Sequence, residues 1–143
     1  MMTTIRDLIK DKSGSVHSIG ADDTMLNAVR TMADADVGAL IVMRDDQVIG
    51  IVSERDFARK VGVPNRRGED VPVAEAMSPM VLYIKPTQTV EEAMAIMTER
   101  EVRHLPVLDG DRLSGMVSMR DLVKEAIAYK DFVISQLEHY IQQ

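Results

Sequence analysis

Apolar and polar positions along this chain change from helical spacing to extended runs and back, and the same order of blocks occurs twice. Ile5, Leu8 and Ile9 mark about two turns of an N-terminal helix that Thr3 or Thr4 can cap, that Lys12-Ser13-Gly14-Ser15 ends, and that is expected to dock on the first repeat. Val16 to Ile19 reads as a short extended segment. Asp22-Asp23-Thr24 then caps a helix with Leu26, Val29, Met32 and Ala33 at helical spacing. Gly38 to Met43 is a continuous apolar run of strand length, which predicts a strand covered on both faces. Arg44-Asp45-Asp46-Gln47 turns the chain into a partner strand, Val48 to Val52, and Ser53 starts a helix through Val61.

Between Gly62 and Pro72 the sequence is polar, with two prolines, as a linker would be. Val73 to Met77 predicts a helical turn or two and Met80 to Ile84 an extended segment. A helix from Val90 to Thr98, a strand from Val102 to Leu108, an Asp109-Gly110-Asp111 turn, a strand from Leu113 to Ser118 and a final helix follow. Laid over one another at an offset of 65, residues 19–60 and 84–125 match without a gap, and 13 of the 42 pairs are identical. The predicted fold class is therefore α/β (α+β): two pseudo-symmetric β-α-β-β-α repeats packed through their sheets, with a long C-terminal helix. The expected boundaries are 1–62 for the N-terminal helix and first repeat, 63–76 for a linker, 77–128 for the second repeat and 129–143 for a helical extension. Val123, Ala126, Ile127, Val133, Leu137, Tyr140 and Ile141 give that last helix an apolar stripe longer than one small repeat can cover. The surplus predicts a homodimer.

Composition narrows the function. With 45% apolar residues, only 3% aromatic and 11 Met, the core is filled by aliphatic side chains and adaptable thioethers. A net charge of −6 and a single Arg66-Arg67 cluster beside Glu69 and Asp70 argue against a nucleic-acid partner. The absence of cysteine excludes disulfides and thiolate catalysis. No apolar run approaches membrane-spanning length, and the sequence offers no signal-peptide core, so a cytoplasmic protein without a membrane partner is expected.

The strongest repeated stretch is Gly50-Ile51-Val52-Ser53-Glu54-Arg55-Asp56, which returns as Gly115-Met116-Val117-Ser118-Met119-Arg120-Asp121. A strand that ends at Ser and enters a helix aims the free N–H groups of the first turn outward, which suits an anion. The glycine would let a ligand approach, the hydroxyl could bind phosphate, the arginine could neutralise it, and the aspartate could accept from a ribose diol. Ser-x-x-Asp at a helix start is also nearly a capping box, in which the pair only satisfies backbone donors. Capping accounts for Ser and Asp but not for the shared Gly and Arg.

Gly-φ-φ-Ser-x-x-Asp closing each unit, with Val102-Arg103-His104-Leu105-Pro106-Val107-Leu108 before the second copy, resembles a pair of cystathionine-β-synthase (CBS) domains, a Bateman module of the stand-alone bacterial or organellar type. The resemblance covers about residues 5–128. It implies a regulatory module, not an enzyme, that binds an adenosine compound in clefts between its repeats: AMP first, with NAD(H) or ATP as the other candidates, and no catalytic cofactor. It also implies a homodimer and an effector protein the sequence does not name. Carried over by position, Asp56 and Asp121 would hold the ribose diols, with Ser53 and Ser118 near ribose or phosphate and Arg55 beside the first site. Arg103, His104 and Arg120 would meet the phosphates of the second site, with Lys12 in reach. Val16, His17, Met80 and Val81 would bracket the adenine. The first repeat departs from this pattern, since Gly38-Ala39 stands where Arg103-His104 does, so its phosphate site is expected to be poorer.

His17, His104 and His139 share no metal-ligand spacing, and no nucleophile and base stand in a recognisable order. The methionines at 25, 32, 94 and 97 are expected in the core by their helical spacing.

Overall fold

The computed structural model describes residues 3–11, 16–80 and 82–142. They divide into two compact units, one drawn from Ser15–Val81 and the other from Met1–Gly14 together with Leu82–Gln143.

In the first of these units, β1 (Ser18–Gly20) lies parallel to β2 (Ala39–Arg44), which runs antiparallel to β3 (Gln47–Ser53), and β3 pairs with the two-residue β4 (Ser78–Pro79). Helix α2 (Met25–Ala35) makes the crossover between the parallel strands. Thr24 caps it, accepting from the Asn27 amide at 3.1 Å, and Asp36 closes it in the left-handed region at φ 55°. Its buried face is Met25, Ala28 and Met32. Asp45 and Asp46, both at positive φ, make the β2–β3 turn, as the hairpin twist requires.

The other unit repeats the capped helix and the hairpin 65 residues on. Thr89 caps α5 (Val90–Arg100) through the Glu92 amide at 3.1 Å, Glu101 closes it at φ 56°, and Val90, Ala93 and Met97 are buried. β5 (His104–Asp109) and β6 (Arg112–Ser118) pair with the same register irregularity, after Val107 here and after Val42 in the earlier hairpin. Met25, Met32 and Met97 are buried and Met94 packs against the core, so all four methionines are core residues.

Three expectations need correction. Helix α1 (Ile5–Asp11) docks on the second repeat, not the first: the Ile5 and Arg6 amides donate to Gln88 and Pro86, and Ile5 and Leu8 are buried with Ile84, Met97 and Val117. The segment between the repeats is not only a linker. Its α4 (Val73–Ala76) completes the first repeat, where the Val73 and Ala74 amides donate to Asp23 and Ala21 and where Val71, Val73 and Ala76 are buried. Each repeat is thus finished by the helix that precedes the other, because α1 and α4 present the same apolar face and the same donors to equivalent edges. Finally, the opening strand of the second repeat is reduced to Ile84, which bridges Val107 in parallel, while the residues before it, Ser78–Pro79, pair with β3 of the first repeat.

The helix after Ser53 also changes character. It is α-helical only over α3 (Glu54–Phe57) and continues in wider π-helical turns from Ala58 to Gly62. Its counterpart α6 (Met119–Gln142) is a continuous 24-residue helix.

Candidate functional site

The two heptapeptides put a strand end and a helix start at equivalent places in the two units. At the first, the Ser53 amide and hydroxyl donate to Asp56 Oδ2 at 2.9 and 3.0 Å, and the Asp56 amide donates to Ser53 Oγ at 3.2 Å. At the second, the Ser118 amide donates to Asp121 Oδ2 at 3.0 Å and the Asp121 amide to Ser118 Oγ at 3.1 Å. Both are reciprocal capping boxes. A carboxylate has about four acceptor sites, more than such a box uses, so capping and sugar recognition are compatible chemistry.

The shared glycines have a packing explanation of their own. A Cβ on Gly50 would fall 2.6 Å from the Ser78 carbonyl oxygen and 2.7 Å from Met77 Sδ, and one on Gly115 would fall 3.3 Å from Ile9 Cδ1. Each glycine admits the segment that completes its unit, β4 in one case and α1 in the other. Arg55 and Arg120 are exposed on the first helical turns, where no capping requirement places them.

The residue expected to distinguish the two sites lies at the same backbone point in both. The Gly38 carbonyl accepts from the Glu54 amide at 3.1 Å, and the Arg103 carbonyl accepts from the Met119 amide at 2.8 Å. Position 38 or 103 therefore abuts the first N–H of each helix. At 103 an exposed arginine leaves from this point, followed by the half-buried His104. At 38 there is no side chain, and the Glu54 carboxylate lies over the gap, 3.2 Å from where a Cβ would be. Glu54 was not singled out in the sequence, although the repeat alignment signals it by setting a glutamate against Met119, which packs on the core of its unit. Lys60 Nζ stands 3.8 Å from Asp56 Oδ1, but it is held by the Ala76 carbonyl at 2.8 Å.

Ser53, Arg55, Asp56 and Gly38 gather at one end of the unit's sheet, joined by Val16 and His17, whose carbonyl (His17) accepts from Ile41 at the start of β2. Met80 is not with them. Its amide donates to Ile49, which places it toward the other end of β3. Ser118, Arg120, Asp121, Arg103 and His104 gather at the matching end of the β5–β6 pair. Lys12 and Val81 lie outside the described residues. Among the described residues there is no group of three or more potential metal ligands, and no helix is long and apolar enough to cross a membrane.

The CBS domain family model matches residues 5–62 and 73–128. The chain belongs to the CBS-domain family. Its relatives include the mitochondrial CBS domain-containing protein CBSX3 of Arabidopsis thaliana, 33% identical over 149 residues that cover 98% of this chain and 72% of the relative. Among solved structures, a CBS-domain protein of Burkholderia ambifaria MC40-6, described as a candidate for signal transduction, is 42% identical with a TM-score of 0.84 over 88% of this chain and 95% of that one. A CBS-domain protein of Agrobacterium tumefaciens is 32% identical, with a TM-score of 0.81 over 88% and 95%. CBS domains are generally regulatory modules that bind adenine nucleotides. The first CBS match begins at α1, yet that helix packs with the second CBS repeat, so the family's sequence unit and the packed unit differ here by one exchanged helix.

Proposed function

We propose that this CBS pair is a non-catalytic sensor of an adenine nucleotide, AMP first and NAD(H) or ATP as alternatives, that passes occupancy to a partner protein, and that its main phosphate-binding end is the one at Asp121. The supporting observation is the charge at the two equivalent helix starts. Arg103 and Arg120 flank the Asp121 end, whereas the Asp56 end has Arg55 in the place of Arg120 but Glu54 covers the place where Arg103 would be. A phosphate monoester carries close to two negative charges at neutral pH, and hydrogen bonds to charged groups contribute about 1.5–3 kcal/mol each, so one or two such donors separate the ends by tenfold or more in affinity.

A second reading has its own support. Both Ser-Asp pairs are closed capping boxes, which is what an adaptor without a ligand would also retain. A thermal-shift panel of AMP, ADP, ATP, NAD, NADH and S-adenosylmethionine separates the two, since ligand at about 100 times its dissociation constant stabilises the folded state by about 2.7 kcal/mol, roughly 5–10 °C at this size. No shift with any of them favours the adaptor. Calorimetry with AMP then assigns the ends. Asp121→Ala and Arg103→Ala should remove the tighter binding, while Asp56→Ala leaves it; the reverse outcome reverses the assignment.

A further inference from the structure

Helix α6 continues past the second CBS match, which ends at residue 128, and every residue from Asp131 to Gln142 is exposed. Most of its exposed apolar positions fall on one face, although Phe132, 59% exposed, lies on the other. Val123, Ile127, Lys130, Ile134, Leu137 and Ile141 follow one another at spacings of four and three, the seam of a coiled coil, with Ile127, Ile134 and Ile141 at one core position and Val123, Lys130 and Leu137 at the other. Ile127, Leu137 and Ile141 are 56%, 57% and 78% exposed, so nothing within the unit covers this seam.

We infer that the seam is covered by the same helix of a second copy, running antiparallel. The charges decide the direction. A parallel pair would set Lys130 against the partner's Lys130 in the middle of the seam. An antiparallel pair centred on Phe132 sets Val123 on the partner's Ile141, Ile127 on the partner's Leu137 and Lys130 on the partner's Ile134, so that each core position meets its complement. On one flank, Lys124 then faces the partner's Glu138, twice by symmetry. Near the axis Asp131 faces the partner's Asp131, and the Lys130 stem covers the partner's Ile134 while its ammonium reaches toward these two carboxylates and offsets their repulsion. On the other flank, Ala126 meets the partner's Tyr140 and Val133 meets the partner's Val133, so that flank is apolar. A membrane surface fits less well, because the exposed face from Lys130 onward carries Asp131 and Glu138 and no second lysine or arginine. Three heptads alone are short for a stable coiled coil, but α6 starts from a capped turn with Leu122 fully buried, so the cost of nucleating the helix is already met.

The test uses the full chain, which has no cysteine of its own. In Lys124→Cys/Glu138→Cys, a short bismaleimide should join position 124 of one copy to 138 of the other, as peptide mapping reads. Within one helix these positions are about 21 Å apart, out of reach of a short linker, so the link reports only on the dimer. Light scattering of the unmodified chain at high micromolar concentration should give twice the monomer mass. Lys124→Glu should weaken dimerisation about fivefold, and Lys124→Glu/Glu138→Lys should restore it. Both positions are exposed, so the unit's core is untouched. A monomer, links of 124 to 124 or 138 to 138, or no restoration by the double exchange would each overturn the inference.

Discussion

The unit around Asp56 and the unit around Asp121 are built on one hydrogen-bond plan, with the same caps, the same left-handed helix ends, the same strand irregularity and the same Ser-Asp boxes. They part where the plan meets something outside itself. The glycine of one heptapeptide is closed by a strand and that of the other by a helix, position 38 has no side chain where 103 has an arginine, and one terminal helix loosens into π turns while the other runs for 24 residues. The lesson is that one backbone plan can be kept while side chains at a few equivalent points give its two copies different surroundings.

The largest expected effect tests the exchange of helices. Ile5 is fully buried in the unit of the second repeat, so Ile5→Ala should cost about 2–5 kcal/mol in denaturant unfolding, as deletion of a core aliphatic side chain does. A change below about 0.5 kcal/mol, the scale of a surface substitution, would mean that α1 does not complete that core.

The next sharpens the contrast between the glycines. At Gly50 the obstacle is a backbone carbonyl, which cannot move without breaking the β3–β4 pair, so Gly50→Ala should cost about 1–3 kcal/mol. At Gly115 it is the end of the Ile9 side chain, which can rotate, and Gly115→Ala should cost less than half as much. Equal losses on thermal melting would show that the two closures are equally rigid.

The smallest effect concerns the caps. Ser53→Ala and Ser118→Ala should each lower stability by about 1 kcal/mol, because each removes one acceptor from an equivalent helix start. If one is costly and the other neutral, the boxes are not equivalent in energy despite their matching geometry.

The repeat made much of this legible. Thr24 announced α2, the continuous apolar run from Gly38 to Met43 announced β2, the 65-residue repeat carried both to α5 and β5, and the Ser-x-x-Asp spacing announced the caps. The exchange of α1 and α4 was not legible, because Ile5, Leu8 and Val73 are apolar at helical spacing toward either repeat, and periodicity says which face is buried but not against what. The role of Gly50 and Gly115 was hidden for a related reason. A glycine marks a close approach without naming what approaches. The charge difference between the helix starts was half visible: the missing arginine at 38 showed in the alignment, whereas the Glu54 carboxylate over that gap depends on the backbone contact between Gly38 and Glu54.

The exchanged helix also sets an order of events during synthesis. The unit drawn from Ser15–Val81 is one continuous stretch and has all its parts once that stretch has left the ribosome. The other unit must join α1, which precedes that stretch, to Gln88, Pro86 and the strand that holds Gly115, which follow it. Closing so long a loop slows folding more than it weakens the final state. Until that loop closes Ile5 and Leu8 have no core to enter, so one unit can complete its core before the other.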